Sequence, residues 1–136
     1  MSNGDISSTF FRVWQEGTSL RLPYFSNHPI DNANDSIELV VFAFHGSGDP
    51  IAAEYLDRVQ DAASMIPGAT NTTLIIAPQL AQFDHLENFY GAGNSPGDIM
   101  YGGSSRFWGG LSGNSSVRIS YFTAIDQLLS HICCSG

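Results

Sequence analysis

The chain has 136 residues, of which 43% are apolar, a composition typical of a folded domain and not of a disordered segment. Thirteen Asp and Glu residues against five Lys and Arg give a formal net charge of −8. So few cations cannot neutralise a row of phosphates. The sequence therefore predicts that neither nucleic acid nor an anionic membrane surface is a partner.

The two ends of the sequence bear on the cellular compartment. Met1–Thr9 is polar and includes Asp5, whereas a secretory signal has a basic and then an apolar region. No stretch is long and apolar enough to predict a membrane span. Cys133 and Cys134 are adjacent, which is neither a disulfide framework nor a metal-ligand spacing. We therefore expect a cytoplasmic protein.

The first predicted element is a β-hairpin. Phe10–Trp14 and Leu20–Tyr24 are short runs typical of strands, and Glu16-Gly17-Thr18 between them suits a turn. Turn-forming residues dominate Ser26–Ser36, which predicts a loop. Residues 1–37 are thus expected to form an N-terminal hairpin followed by a loop.

Residues 38–78 predict two strands of a parallel sheet. After its first residue the run Glu38–Phe44 is continuously apolar, as in strands buried on both faces of such a sheet. Thr73–Ala77 is a second run of this kind, and Pro78 ends it. A connection between parallel strands is usually a helix, so we expect a β-α-β unit.

The predicted helix of this unit has recognisable ends. Asp49 is a good N-cap and Pro50 suits the first helical position. Apolar residues then recur at helical spacing as far as Ile66, opposite a charged face. Pro67 and Gly68 follow, and both favour the end of a helix.

The last third of the sequence predicts a loop and then a helix. Residues 79–116 are rich in Gly, Ser and Asn, and Trp108 within them either lines a pocket or anchors the loop. Residues 117–134 predict an amphipathic helix capped by Ser116 or Ser120. Its expected apolar face comprises Tyr121, Phe122, Ile125, Leu128, Leu129 and Ile132.

Three segments in this order carry a resemblance to a known family. They read ELVVFAFHGSGD, TLIIAPQL and FWGGLSGNSSVRISYFTAIDQLL, and together they resemble serine hydrolases of the α/β-hydrolase superfamily, esterase-like members above all. In those proteins a hairpin precedes the first parallel strand, His-Gly follows that strand, and the next strand ends in Ala-Pro. A Trp-containing glycine stretch, here Trp108-Gly109-Gly110, then leads into a helix.

The resemblance implies the N-terminal half of one α/β-hydrolase domain, residues 1–136, with an incomplete sheet. The family's next element is the strand that ends in the Gly-x-Ser-x-Gly nucleophile elbow, and it would lie beside the Glu38–Phe44 strand. Nucleophile, catalytic acid and catalytic His are all expected beyond the last residue of this sequence. The chain alone is therefore expected to be inactive, and its bare strand edge to favour self-association.

The same resemblance assigns an oxyanion-hole role to the turn after the first parallel strand. The backbone N–H of Ser47 would face the developing oxyanion, and Gly46 would let the backbone approach closely because it has no Cβ. His45 is interpreted as a structural imidazole that hydrogen-bonds nearby backbone. The intact relative would take a small-molecule ester or acyl substrate, with no cofactor and no metal.

Other functions compete with this interpretation. Gly93–Gly97 matches the elbow pattern around Ser95, but it lies in a predicted loop, and Pro96 lacks the N–H that a second oxyanion donor would need. The chain could then be a complete small enzyme. A binding or regulatory module that keeps half of the hydrolase fold is another alternative.

A nucleotide-binding loop is the remaining alternative for the turn before the predicted helix. Gly46-Ser47-Gly48 between a strand and a helix suggests such a loop. Ile51 stands where the dinucleotide fingerprint requires its third glycine, and the Lys-Ser/Thr of a phosphate loop is missing. Asp49 at the start of the helix would also repel a phosphate.

Overall fold

The structure of this protein is a computed structural model that describes residues 10–31, 36–45, 52–80, 100, 111–112 and 119–134. The architecture is mixed α/β. Its contacts divide the chain into two compact units, Met1–Pro23 with Leu80–Ser130 and Tyr24–Gln79 with His131–Gly136. The second strand contributes to both units, and the strand order of the main sheet is β1-β2-β4-β3, with the elements named below.

The first unit contains the expected hairpin. Strand β1 (Phe10–Gln15) pairs antiparallel with the first part of β2 (Thr18–Ser26), which confirms the predicted turn between them. Glu16 and Gly17 both have positive φ, 51° and 82°. Two successive left-handed residues match the right-handed twist of the flanking strands, and glycine adopts this conformation without a Cβ clash.

The first unit also contains a two-stranded ribbon and the start of the last helix. Strands β5 (Leu111–Ser112) and β6 (Ile119–Ser120) pair antiparallel, and helix α3 (Tyr121–Cys134) follows. The predicted unbroken loop over residues 79–116 is therefore wrong at β5, because a two-residue strand is too short to leave a pattern. The Oγ of Ser120 accepts the N–H of Phe122 at 3.1 Å and caps the helix.

The buried face of α3 is narrower than the apolar pattern predicts. Tyr121, Ala124 and Leu128 are buried, at the spacing i, i+3 and i+7. Phe122 is 64% exposed and Leu129 is 44% exposed, so their predicted place on the buried face is wrong. The small side chain of Ala124 lets the helix approach its neighbours along this line, which turns the two larger residues outward.

The second unit is a parallel β-α-β unit with one antiparallel strand beside it. Strand β3 (Leu39–Phe42) runs parallel to β4 (Thr73–Pro78), and helix α1 (Ala52–Ala63) lies between them in sequence, as predicted. The last three residues of β2, Tyr24–Ser26, pair antiparallel with the other side of β4. Strand β4 is thus central.

The two parallel strands differ in burial. All six residues of β4 are buried, whereas none of the four in β3 is, and Leu39 is 57% exposed. The prediction that β3 is buried on both faces is therefore wrong in the part of the chain that the structure describes. The reason is position: β3 is terminal in the strand order and has a described neighbour, β4, on one side.

Helix α1 packs on this sheet and ends earlier than expected. Ala52 and Ala53 are buried, and the half-buried Tyr55, Leu56 and Val59 pack against a small core that includes Ala52. The helix ends at Ala63, so Ile66 lies outside it and is exposed.

The chain after α1 reverses at a glycine. Gly68 has a φ of 80° and precedes a short helix, α2 (Ala69–Thr72), which the sequence pattern did not predict. A four-residue helix leaves no periodic signal, whereas the predicted stop at Pro67-Gly68 does mark the turn between the two helices.

Asn27 continues the antiparallel pairing beyond the end of β2. Its side-chain Oδ1 accepts the N–H of Ile75 at 2.8 Å, and its Nδ2 donates to the Thr73 carbonyl and to Gln60 Oε1, both at 2.9 Å. His28 Nε2 donates to the Thr70 carbonyl at 2.8 Å. The beginning of the predicted loop is therefore fixed to β4 and its surroundings by side chains.

Candidate functional site

The candidate site lies at the carboxyl end of β3. The N–H of Ala43 donates to the Ile76 carbonyl at 2.8 Å and carries the parallel pairing one residue past the strand. His45 follows and is 3% exposed. Gly46 and Ser47, the predicted oxyanion-hole residues, lie outside the described residues. The site is therefore built from its flanks.

A glutamine connects those flanks. Gln79 follows the last residue of β4 and is 1% exposed. Its Oε1 accepts the backbone N–H of Ala52, the first residue of α1, at 2.7 Å. Its Nε2 lies 3.5 Å from Nε2 of His45. The end of β3, the start of α1 and the end of β4 therefore meet around one buried amide.

The order of these contacts fixes the direction of each hydrogen bond. A backbone N–H can only donate, so the oxygen of Gln79 must face Ala52 and its NH₂ group must face His45. An amide NH₂ can also only donate, so the Nε2 of His45 is the acceptor. In this arrangement the imidazole is neutral, and its ring proton lies on Nδ1.

Gln79 was not singled out by the sequence patterns, although a signal existed. It is a polar residue between Pro78 and Leu80, directly after a run of buried apolar residues. The carboxyl ends of neighbouring parallel strands lie at one edge of a sheet, which is where open α/β sheets bind ligands. The residues after both predicted strands could have been compared for this reason. His45 was expected to bond nearby backbone, and its contact with Gln79 is with a side chain.

The other residues considered from the sequence do not converge on this site. Ser95, His85 and Trp108 lie outside the described residues. His131 Nε2 lies 2.6 Å from Asp31 Oδ1, in a contact at the surface.

Two further findings concern the described part of the chain. It contains no group of three or more His, Cys, Asp or Glu side chains placed to hold a metal ion. Its helices include none long and apolar enough to cross a membrane.

Tyr24 is the ionisable residue of the second unit whose pKa is shifted. Burial raises the pKa of the phenol above its ordinary value, and the negative charge of Asp31 raises it further. Both effects favour the neutral form, because an anion would lose its solvation and face a second anion. Tyr24 is therefore a neutral phenol at physiological pH and supplies no base.

Comparison with known proteins adds no relative: no protein family, no curated protein and no solved structure matches this chain. The argument for a function depends on the ordered motifs of the sequence and on the arrangement of His45, Ala52 and Gln79.

Proposed function

We propose that this chain supplies the oxyanion-binding turn of a serine acyl hydrolase of the α/β-hydrolase type. The turn is the segment between His45 and Ala52, and the donor is the backbone N–H of Ser47, with Gly46 allowing close approach of the substrate. The substrate class is a carboxylic ester or a related acyl compound.

The observation that carries the proposal is the meeting of three chain ends around Gln79. His45 follows β3, Ala52 begins α1, and Gln79 follows β4. A strand, a turn and a helix start at the carboxyl edge of a parallel pair form the usual ligand position of open α/β sheets. The first N–H groups of a helix carry a partial positive charge, which favours an anion there.

The chemistry of the proposed site is charge stabilisation. When a nucleophile attacks an acyl carbon, the carbonyl oxygen becomes an anion, and donors fixed beforehand stabilise it without rearrangement. Loss of one such donor typically costs about 3 kcal/mol of transition-state stabilisation. The proposal assigns the nucleophile, the catalytic acid and the catalytic base to no residue of this sequence. Residues 1–136 alone are therefore expected to bind an oxyanion without turning over an ester.

The strand order is consistent with this assignment. In the resemblance, the strand with the nucleophile elbow lies beside β3. Strand β3 is terminal among the described strands, and its outer edge is the edge that such a neighbour would need. This agreement supports the proposal and does not distinguish it from a binding module of similar fold.

A titration followed by ¹H–¹⁵N NMR tests the binding part of the proposal. Butyrate is the anionic probe and butyramide its neutral counterpart. We expect butyrate to shift the amide resonances of Gly46, Ser47 and Gly48, and butyramide to leave them in place. Ser47→Ala keeps the backbone donor and should retain the butyrate response at Gly46 and Gly48, whereas Ser47→Pro removes the donor and should abolish it.

Two outcomes would replace the proposal with another function. A response of these amides to ADP but not to butyrate would indicate the nucleotide-binding alternative. Labelling by a fluorophosphonate that is abolished by Ser95→Ala would indicate a complete small enzyme. If no amide between His45 and Ala52 responds to butyrate, the oxyanion assignment is wrong.

A further inference from the structure

Gln79 contacts both residues that flank the segment 46–51. Its Oε1 accepts from the N–H of Ala52 at 2.7 Å, and its Nε2 lies 3.5 Å from Nε2 of His45. The segment between these two contacts has six residues. One side chain therefore holds the two ends of the segment at a fixed separation, from a third element of the fold.

Burial makes these contacts consequential. Gln79 is 1% exposed and His45 is 3% exposed, so water does not readily replace a lost partner at either side chain. In such surroundings hydrogen bonds are electrostatically stronger than in water, and an unpaired polar group is costly. The amide orientation that satisfies Ala52 is for this reason expected to persist, and with it the donor that faces His45.

We propose that Gln79 is a positioning residue, which clamps the ends of segment 46–51 and selects the neutral Nδ1–H tautomer of His45. It acts through Ala52 and His45 and touches no substrate. The clamp itself rests on the geometry described above. Its relevance to catalysis rests on the proposed function, because that function places the oxyanion donor within the clamped segment.

The first test reads the protonation of the His45 ring directly. In the full chain with ¹⁵N-labelled histidine, two-bond ¹H–¹⁵N spectra distinguish a protonated ring nitrogen from an unprotonated one. We expect Nδ1 of His45 to carry the proton and Nε2 to carry none. A proton on Nε2 in the wild-type chain would overturn the proposal without any variant being made.

Gln79→Glu tests the cause of this tautomer with almost no change in shape. One carboxylate oxygen can still accept from Ala52, but the group facing His45 becomes an acceptor. We expect Nε2 of His45 to gain a proton in this variant. Unchanged ring nitrogens would show that Gln79 does not select the tautomer, and the proposal would be wrong.

Gln79→Met tests the clamp, because methionine is of similar length and makes neither hydrogen bond. We expect the amide resonances of Gly46–Gly48 to move and butyrate binding at them to weaken about tenfold, which corresponds to the loss of one net hydrogen bond. Gln127→Met is the matched control. Gln127 also bonds with both ends of its amide, to the backbone N–H and carbonyl of Trp14, but in the first unit. That variant should leave His45 and Gly46–Gly48 unchanged.

The two proposals fail in different ways. If wild-type amides show no response to butyrate but the His45 ring follows Gln79 as expected, the clamp holds and the oxyanion role is wrong. If butyrate binds at the turn but the His45 ring does not change in Gln79→Glu, the oxyanion role holds and the positioning role is wrong.

Discussion

Strands β3 and β4 lie side by side and are both largely apolar, yet they differ in burial. Leu39–Phe42 contains no buried residue, whereas Thr73–Pro78 is buried at every position. Both strands take part in the same parallel pairing, in which Val41 is opposite Ile75. What differs is the number of described neighbours: β4 has β2 on its other side, and β3 is terminal.

The comparison shows that an apolar run records the capacity of a strand to be buried and not its actual burial. Because β4 has partners on both sides and α1 packs against it, its side chains are removed from water on both faces. In the described residues β3 has one of these partners, so its apolar surface is available to a further one. Such a surface on a terminal strand is a site for pairing with another chain segment.

Substitution of a leucine in each strand should break the comparison most clearly. Leu74 is fully buried in β4, so Leu74→Ala removes packed atoms and leaves a cavity, at an expected cost of about 2–5 kcal/mol in the free energy of unfolding. Leu39 is 57% exposed in β3, and Leu39→Ala should change that free energy by less than about 0.5 kcal/mol. Urea unfolding followed by circular dichroism measures both, and equal losses would contradict the difference in burial.

Asn27 offers a second test, because it holds the other side of β4. Asn27→Ala removes its bonds to the Ile75 N–H, the Thr73 carbonyl and Gln60, and leaves partly buried groups without those partners. We expect a loss of about 1–3 kcal/mol in the free energy of unfolding.

The exposed Asn71 in α2 provides the control for this substitution, measured in the same urea titration. Asn71→Ala should fall within about 0.5 kcal/mol of the wild-type chain. A loss in Asn27→Ala no larger than this would mean that its side chain does not hold β4.

The outer edge of β3 provides the third and smallest effect, on association rather than on folding. We expect the sedimentation coefficient of the isolated chain to rise with concentration, because edge strands with apolar side chains pair with one another. Leu39→Lys places a charge on this edge and should abolish the rise, whereas Ala62→Lys on the exposed face of α1 should not. A monodisperse wild-type monomer at every concentration would contradict the expectation.

The sequence was sufficient to predict those parts of the fold that local patterns define. The hairpin follows from two short runs around Glu16-Gly17, and the parallel unit follows from apolar runs on either side of an amphipathic helix. The burial of β3 was not predictable, because it depends on which strands lie beside it. The exposure of Phe122 and the short strand β5 depend in the same way on tertiary neighbours.

The candidate site was predictable to a similar extent. The motif around His45 indicated the correct place in the chain, at the end of β3. The role of Gln79 was hidden, because its two contacts are 27 and 34 residues away in sequence. A glutamine has no periodicity that could reveal such contacts. Only the rule that parallel strands end at one edge of a sheet connects the two positions before a structure exists.

The amide of Gln127 has a consequence for assembly. It occupies both the N–H and the carbonyl of Trp14 on β1, at 2.9 and 2.5 Å, and β1 and β3 are the two termini of the strand order. Head-to-tail stacking of copies, β1 onto β3, would have to displace this amide, whereas an isologous β3-to-β3 contact would not. Such a contact closes after two copies, so association through this sheet would stop at a dimer and not propagate into a fibre.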